Sequence, residues 1–485
     1  MSQFLHDFWP HITITSVVLL LIEIWAAGHA VLYKRDNRAT IGWVGLILLT
    51  PLVGALLYWM FGINRIQRKA KLMRAGETEA EPAASAHAAS RELVEQSLGQ
   101  DGRHFLRLVE LVENATQRPL LAGNRIEPLI GGDEAYPAML AAIDGAKRSI
   151  TLASYIFDND KLGKLFAHAL AEAKKRGVEI RVLIDDVGSR YTFPSIVHSL
   201  RKSQVRVATF MPSMVPGHLA YLNLRSHRKI MVVDGRLGFT GGMNIREGCW
   251  LSEKPKQATQ DLHFRVTGPV VSQLQDVFSE DWTFSTAEVL SGDLWYPAQE
   301  EVGPMLARGI AYGPDESKGI IGLTLIGALG VAQRNVTVVT PYFLPDESIV
   351  AALNVAAMRG VEVDIILPQK GNLFTVQCAS QAMLWQVLEH GCRVWQTPPP
   401  FDHTKLMLVD GLWTLMGSGN WDPRSLRLNF EFNVEVYSAD LTRLLAQHVE
   451  KLRGTARPVS LADVDARKLP VRLRDGFARL MSPYL

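Results

Sequence analysis

One short pattern occurs twice, and it constrains this chain more than any other feature. His227 is followed by Lys229, Asp234 and Asn244, and His403 by Lys405, Asp410 and Asn420. In both copies Lys follows His by two positions, Asp by seven and Asn by seventeen. A larger repeat encloses the pattern. Residues 149–157 read as a buried strand, a helix follows over about 162–175, Arg176-Gly177 closes it, and 178–184 is a second apolar strand. The order returns as a strand over 335–340, a helix over 347–358, Arg359-Gly360 and a strand over 361–367. Arg-Gly-Val-Glu stands at both helix-to-strand junctions, where glycine suits the left-handed residue that ends a helix. Apolar strand–helix–strand units pair in parallel, with helices covering the sheet. The expected fold class is α/β, with two similar halves forming one bilobal unit.

The spacing inside the pattern has a chemical meaning. Residues 229–234 and 405–410 read as apolar strands running into Asp-Gly turns. Residues two apart on a strand face the same way, so each His and its Lys project into one cleft. Asn244 and Asn420 follow second short strands (237–240 and 414–416), and a hairpin returns them beside His and Lys. Imidazole, ammonium and amide thus converge twice, which suits an anionic tetrahedral group such as phosphate. Lys supplies charge, Asn a donor, and His a nucleophile or proton carrier. Asp234 and Asp410 belong to the catalytic motif but read as turn-forming residues. Asp261 and Glu431 each begin a strand after the Asn and are the candidates for orienting the imidazoles, by accepting an Nδ1 proton and leaving Nε2 free.

The N-terminus is apolar. Residues 12–33 carry one charge, Glu23, and residues 41–61 carry none, so each run matches the roughly 20 residues of a transmembrane helix. Trp9, Trp43, Tyr58 and Trp59 lie near the ends, as in interfacial aromatic belts. Three basic residues stand between the runs (Lys34, Arg35, Arg38) and five after them (Arg65, Arg68, Lys69, Lys71, Arg74). This margin places both ends of a helical hairpin, and all that follows, in the cytoplasm. Glu23 reads as a carboxyl tolerated within the first span. Residues 76–90 are rich in small residues and Glu, as a tether is, and 91–113 have helical apolar spacing. The expected organisation is a two-helix membrane domain (1–64), a basic flank and tether (65–95), a first half (96–300) and a second half (301–485).

Composition narrows the function. Lys+Arg 51 against Asp+Glu 49 is a balanced charge, unlike that of a nucleic-acid binder. Three cysteines, none in a C-x-x-C pair, fit a reducing compartment. No H-E-x-x-H, His pair at ligand spacing or carboxylate cluster is present in the sequence, so neither metal nor another cofactor is expected.

At these residues the sequence resembles the phospholipase D superfamily, whose members carry His-x-Lys-x4-Asp twice in a two-lobed α/β fold. The N-terminal run with Trp43, Pro51, Gly54, Tyr58, Gly62 and Asn64 is similar to the membrane domain of bacterial cardiolipin synthases. So are the strings SHRKIMVVDGRLGFTGGMNI and HTKLMLVDG…GSGNWDPRSLRLNFE. The resemblance implies two phospholipase D-like halves and a reaction without metal. One His attacks the phosphodiester of phosphatidylglycerol, and the other protonates the departing glycerol. A second phosphatidylglycerol then takes the phosphatidyl group from the histidine. It further implies His227 as nucleophile, His403 as general acid and base, Asn244 and Asn420 as phosphate ligands, and Ser418 as an added hydroxyl there. The implied setting is the bacterial inner membrane, with phospholipid as partner and no nucleic acid. Two apolar stretches, 209–216 and 373–385, are candidates for resting on the bilayer and passing acyl chains. The same motifs also serve a hydrolase that transfers to water. A decayed scaffold would have lost a His or Lys, and none is missing.

Overall fold

A computed structural model describes residues 2–34, 37–62, 87–212, 224–314 and 319–481. The N-terminal helices form one compact unit and the residues from 87 onward another.

In the larger unit the first half contributes β1 (Leu121–Ile130), β2 (Ser149–Ser154), β3 (Glu179–Asp185), β4 (Arg206–Phe210), β5 (Ile230–Val233), β6 (Leu237–Gly241), β7 (Thr259–Gln260) and β8 (Leu262–Thr267). The second contributes β9 (Met305–Tyr312), β10 (Asn335–Val339), β11 (Glu362–Pro368), β12 (Arg393–Thr397), β13 (Phe401–Asp402), β14 (Leu406–Val409), β15 (Trp413–Gly417), β16 (Glu431–Tyr437) and β17 (Arg457–Val459). All but β7 and β13 join one sheet. Outward from its middle the order is β1-β8-β6-β5-β2-β3-β4 on one side and β9-β16-β15-β14-β10-β11-β12 on the other, with β17 added at that edge. The repeat in the sequence is thus a repeat in the sheet. β1 and β9 pair antiparallel across the join, with a register shift between Leu121 and Asn124.

The sheet is mixed. β2-β3-β4 and β10-β11-β12 are parallel, as strand–helix–strand units require. The motif hairpins β5-β6 and β14-β15 are antiparallel to them. The repeated helices are Lys161–Lys175 and Glu347–Met358, capped by the Asp160 and Asp346 carboxylates. Gly177 and Gly360 follow at φ 89° and 91°, a conformation that a side chain would strain. Helix Val270–Thr286 packs on β9 as well as on strands of its own half, and helix Ala439–Thr455 reaches β1. One apolar core therefore holds Phe264 and Leu274 together with Phe432 and Leu445. Separate cores lie under the outer helices of each half. The helical run expected over 91–113 is split. Helix Arg91–Leu98 ends at Gly99 (φ 63°), and a new helix spans Leu106–Thr116. Residues 65–86 of the expected flank and tether lie outside the described residues.

In the N-terminal unit, helix Ser2–Tyr33 contains an apolar window, Ser16–Tyr33, long enough to cross a bilayer. The expected second span is not one continuous helix. Helix Asn37–Leu49 has 13 residues, about 20 Å, short of the roughly 30 Å hydrocarbon layer. Pro51 follows, Leu52 takes φ 66°, and Val53–Leu57 runs back along the same helix. A Cβ on Gly54 would lie 2.3 Å from the Leu46 carbonyl oxygen, and the Tyr58 and Trp43 rings are 5.4 Å apart. Neither approach is possible in a continuous helix, where eight residues rise about 12 Å. Tyr58 is buried and hydrogen-bonded to His29 Nδ1 at 2.7 Å, so it does not join an interfacial belt. Glu23 is also buried.

Candidate active site

Each His-x-Lys segment is held by the opposite half. The His227 amide donates to the Phe430 carbonyl at 2.8 Å, and the Phe430 amide donates to the Arg225 carbonyl at 2.9 Å. In the equivalent place β13 pairs parallel with β7, and the His403 amide donates to the Gln260 carbonyl at 2.8 Å. Arg228 strengthens the first exchange, donating to the Glu431 carbonyl at 3.1 Å and to Asp281 at 2.7 Å. The carboxylates expected to orient the imidazoles consequently cross over. His227 Nδ1 lies 3.0 Å from Glu431 Oε2, and His403 Nδ1 lies 2.7 Å from Asp261 Oδ2. The two imidazole rings meet edge to face, with centres 6.4 Å apart and planes at 81°.

The other neighbour of His227 Nδ1 is the Ser418 carbonyl, at 3.1 Å. Both are acceptors, so Nδ1 carries the proton and Nε2 keeps its lone pair. The lysines stand beside the histidines. Lys229 Nζ donates to the His227 carbonyl at 2.5 Å, Lys405 Nζ donates to the His403 carbonyl, and Lys405 Nζ is 3.9 Å from Asp261. Burial lowers Lys229 to about 7 and Lys405 to about 8. It also lowers His227, and with the two ammonium groups it takes His403 well below the usual imidazole range. A phosphodiester anion would oppose these shifts, so the cleft's chemistry suits binding one.

The two acids differ. Burial raises both, but His227, Lys229 and the Ser418 hydroxyl outweigh it at Glu431 and hold that carboxyl below its ordinary value. Asp261 is pushed up to about 6 by burial, in spite of Lys405. Ser418 explains part of the contrast and corrects an expectation. Its hydroxyl donates to Glu431 at 2.6 Å and accepts from the Phe432 amide at 3.0 Å, so it is not turned to a phosphate. Gly242 holds the matching place in the first half, where a Cβ would lie 2.3 Å from Asp261 Oδ1. Asn244 accepts the Ile156 amide through Oδ1 at 3.1 Å, and Asn420 Oδ1 has no partner among the described residues.

Asp234 and Asp410, grouped with the catalytic motif above, are not brought to the imidazoles. Asp234 accepts the amides of Lys147, Arg148 and Ser149 at 2.7–3.2 Å, and Asp410 those of Gln333, Arg334 and Asn335 at 2.7–2.9 Å. They pin the chain entering β2 and β10 to the motif hairpins. Two aromatic neighbours escaped the sequence reading. The Tyr155 ring is 5.2 Å from His227, with Lys229 Nζ 5.6 Å from its centre, and the Tyr342 ring is 6.4 Å from His403. Each Tyr follows the first strand of its repeat, so aligning the repeats would have found them. Asp185, accepting the Ser226 amide at 3.0 Å, was missed too, and burial raises it to about 7.

A cardiolipin synthase, PLD-like domain model matches residues 139–282 and 325–453, one stretch in each half. A phospholipase D-nuclease N-terminal model matches 21–62. The chain is 31 % identical to a cardiolipin synthase of a Geobacillus species over 99 % of its own length and 96 % of the relative's. It is 32 % identical to cardiolipin synthase A of Pseudomonas fluorescens over 99 % of both. Among solved structures, phosphatidylserine synthase of Haemophilus influenzae shares the fold at a TM-score of 0.61 and 16 % identity, over 78 % of this chain and all of that one. Since one family model falls on both halves and the relatives span nearly every residue, this membrane-associated chain belongs to the cardiolipin synthase family of phospholipase D-like enzymes.

Proposed function

We propose that the chain is a phosphatidyltransferase that converts two molecules of phosphatidylglycerol into cardiolipin and glycerol. The facing pair of imidazoles, each backed by a carboxylate of the other half, carries this reading. With ring centres 6.4 Å apart, the two imidazoles are close enough for a single phosphoryl group to meet both. In the first step His227 Nε2 attacks phosphorus, the P–O bond to glycerol breaks, and His403 gives glycerol its proton. The phosphodiester charge, offsetting Lys229 and Lys405, restores that proton to His403 beforehand. In the second step the hydroxyl of another phosphatidylglycerol passes its proton to His403 and attacks phosphorus, and the P–N bond breaks. One hard displacement becomes two easier ones. Lys229 and Lys405 neutralise the phosphoryl oxygens, and Asn244 and Asn420 donate to them. Glu431 and Asp261 hold the imidazoles, and Asp234 and Asp410 act only through the backbone. A second reading, transfer to water, uses the same groups. Incubation with labelled phosphatidylglycerol decides between them: cardiolipin with equimolar glycerol supports transfer, and phosphatidic acid as main product supports hydrolysis.

We also propose the boundaries 1–64, 65–95, 96–300 and 301–485 for membrane domain, flank and tether, and the two halves. The catalytic part lies on the cytoplasmic side of a bacterial inner membrane. One helix crosses, and the second apolar segment enters and returns. In this reading the three basic residues of 34–38 and the five of 65–74 belong to the cytoplasmic side that Lys and Arg favour, while no Lys or Arg precedes the first apolar run. A cysteine replacing Ser2 should then react with a membrane-impermeant maleimide in intact cells, and one replacing Glu92 should not. Protection of both would restore two full crossings.

A further inference from the structure

The last helix, Leu469–Leu480, is packed the wrong way round for a helix surrounded by water. Its inner side is narrow and largely small or polar. Ala478 rests near Val376 and Ala379 of helix Phe374–Gln381. Asp475 is buried between Arg467 at 2.8 Å and Arg474 at 2.9 Å, and Arg467 also donates to the Gln381 carbonyl at 3.2 Å. The apolar side faces outward. Leu469, Leu473, Phe477, Leu480 and Met481 are each 54–68 % exposed. At 100° per residue they fall within one stripe about 120° wide. Arg474 borders one edge, Arg472 the other, and Lys468 and Arg479 lie beyond it. Exposed leucines are ordinary when scattered, but a contiguous stripe rimmed by cations is not.

The patch continues toward the site. Leu373 and Phe374, at the start of the neighbouring helix, are 49 % and 65 % exposed, and the Arg474 guanidinium lies 5.2 Å from the Phe374 ring centre. The preceding residue, Asn372, accepts the Tyr342 hydroxyl at 2.7 Å, and Tyr342 is the ring beside His403. Of the stretch 373–385, Val376, Ala379 and Leu384 are core residues, and only its ends face outward.

We propose that helix Leu469–Leu480, with Leu373 and Phe374, is an interfacial helix that lies in the surface of an anionic bilayer and sets the mouth of the site at the level of the lipid headgroups. An apolar stripe between arginines is the pattern of a helix half-sunk at the headgroup boundary. Its cations match the anionic lipids there. The arrangement rests on the proposed use of a bilayer phospholipid as substrate. It lets the headgroup enter beside Tyr342 while the acyl chains stay in the membrane.

The test uses the full chain in vesicles of phosphatidylglycerol and phosphatidylethanolamine. Spin labels are placed at Leu473→Cys or Phe477→Cys, with Lys175→Cys as the reference, since the native cysteines are buried. The ratio of collisions with oxygen to collisions with a water-soluble nickel chelate should be at least threefold higher at 473 and 477 than at 175. Equal ratios overturn the proposal. The paired variant Leu473→Glu, Phe477→Glu should raise the apparent KM for vesicle substrate about tenfold, yet keep turnover of a monomeric short-chain phosphatidylglycerol within twofold. Equal loss on both substrates assigns the helix a structural role and also overturns it. If the wild type forms no cardiolipin from either substrate, the proposed reaction fails, while the label ratios still decide the docking.

Discussion

Asp261 and Glu431 occupy equivalent places, yet each serves the other half's histidine, and they hold their charge unequally. Glu431 is kept ionised by His227, Lys229 and the Ser418 hydroxyl, whereas Asp261, beside Gly242, is raised to about 6. Position in the repeat was enough to pick both acids from the sequence. Which imidazole each faces was not legible, because it depends on a backbone exchange between segments about 200 and 140 residues apart that no periodicity encodes. The resemblance likewise implied a hydroxyl at Ser418 near the phosphate but could not tell that Glu431 would claim it. We expect Glu431→Gln and Asp261→Asn each to lower turnover by on the order of 10²–10⁴, the scale seen when an imidazole loses its orienting carboxylate. Both changes conserve volume, so the unfolding midpoint should move far less. Steady-state rates on phosphatidylglycerol beside thermal melts check this, and full activity in both variants would send the search for orienting groups elsewhere.

At the scale of elements, the Asp-Gly turns are fasteners. Asp234 and Asp410 take left-handed conformations (φ 52° each) that aim their carboxylates at three successive amides of the strand entering alongside. His104 adds a fourth contact at Asp410, 2.9 Å away. The residue types announced a turn, but the amides they fasten come from strands about 85 and 75 residues earlier. Asp234→Ala should cost about 2–3 kcal/mol, because amides lose their acceptor and the burial of Ser149 prevents full replacement by water. Turnover per folded molecule should stay within about threefold, and denaturant melts with active-site titration measure both. A loss of turnover without a loss of stability would make Asp234 part of the chemistry. The N-terminal apolar runs were legible by composition alone. The reversal at Pro51 was not, because hydropathy counts apolar residues and does not register where a missing amide and a close glycine let the chain fold back.

For the whole molecule, the repeat is what the sequence told most plainly, and the sheet repeats it over seven strands on each side of the join, β17 being the addition at one edge. What the repeat could not tell is that the halves are one body. They share a sheet through β1 and β9, share a core through Phe264 and Phe432, and exchange both the strands and the acids that make the site. In the proposed reaction the near-twofold site needs unlike roles for its histidines, one holding the phosphoryl group while the other moves protons. Glu431, held below its ordinary value, supports the proposal of His227 as nucleophile, because a carboxylate there stabilises the cation formed. The most direct test is to trap the intermediate with a phosphatidyl ester of 4-nitrophenol, whose leaving group needs no proton. Wild type and His403→Ala should both gain the phosphatidyl mass on a peptide containing His227, and His227→Ala should gain none. Mass on His403 instead would reverse the assignment, and no adduct in any of the three proteins would contradict the two-step account.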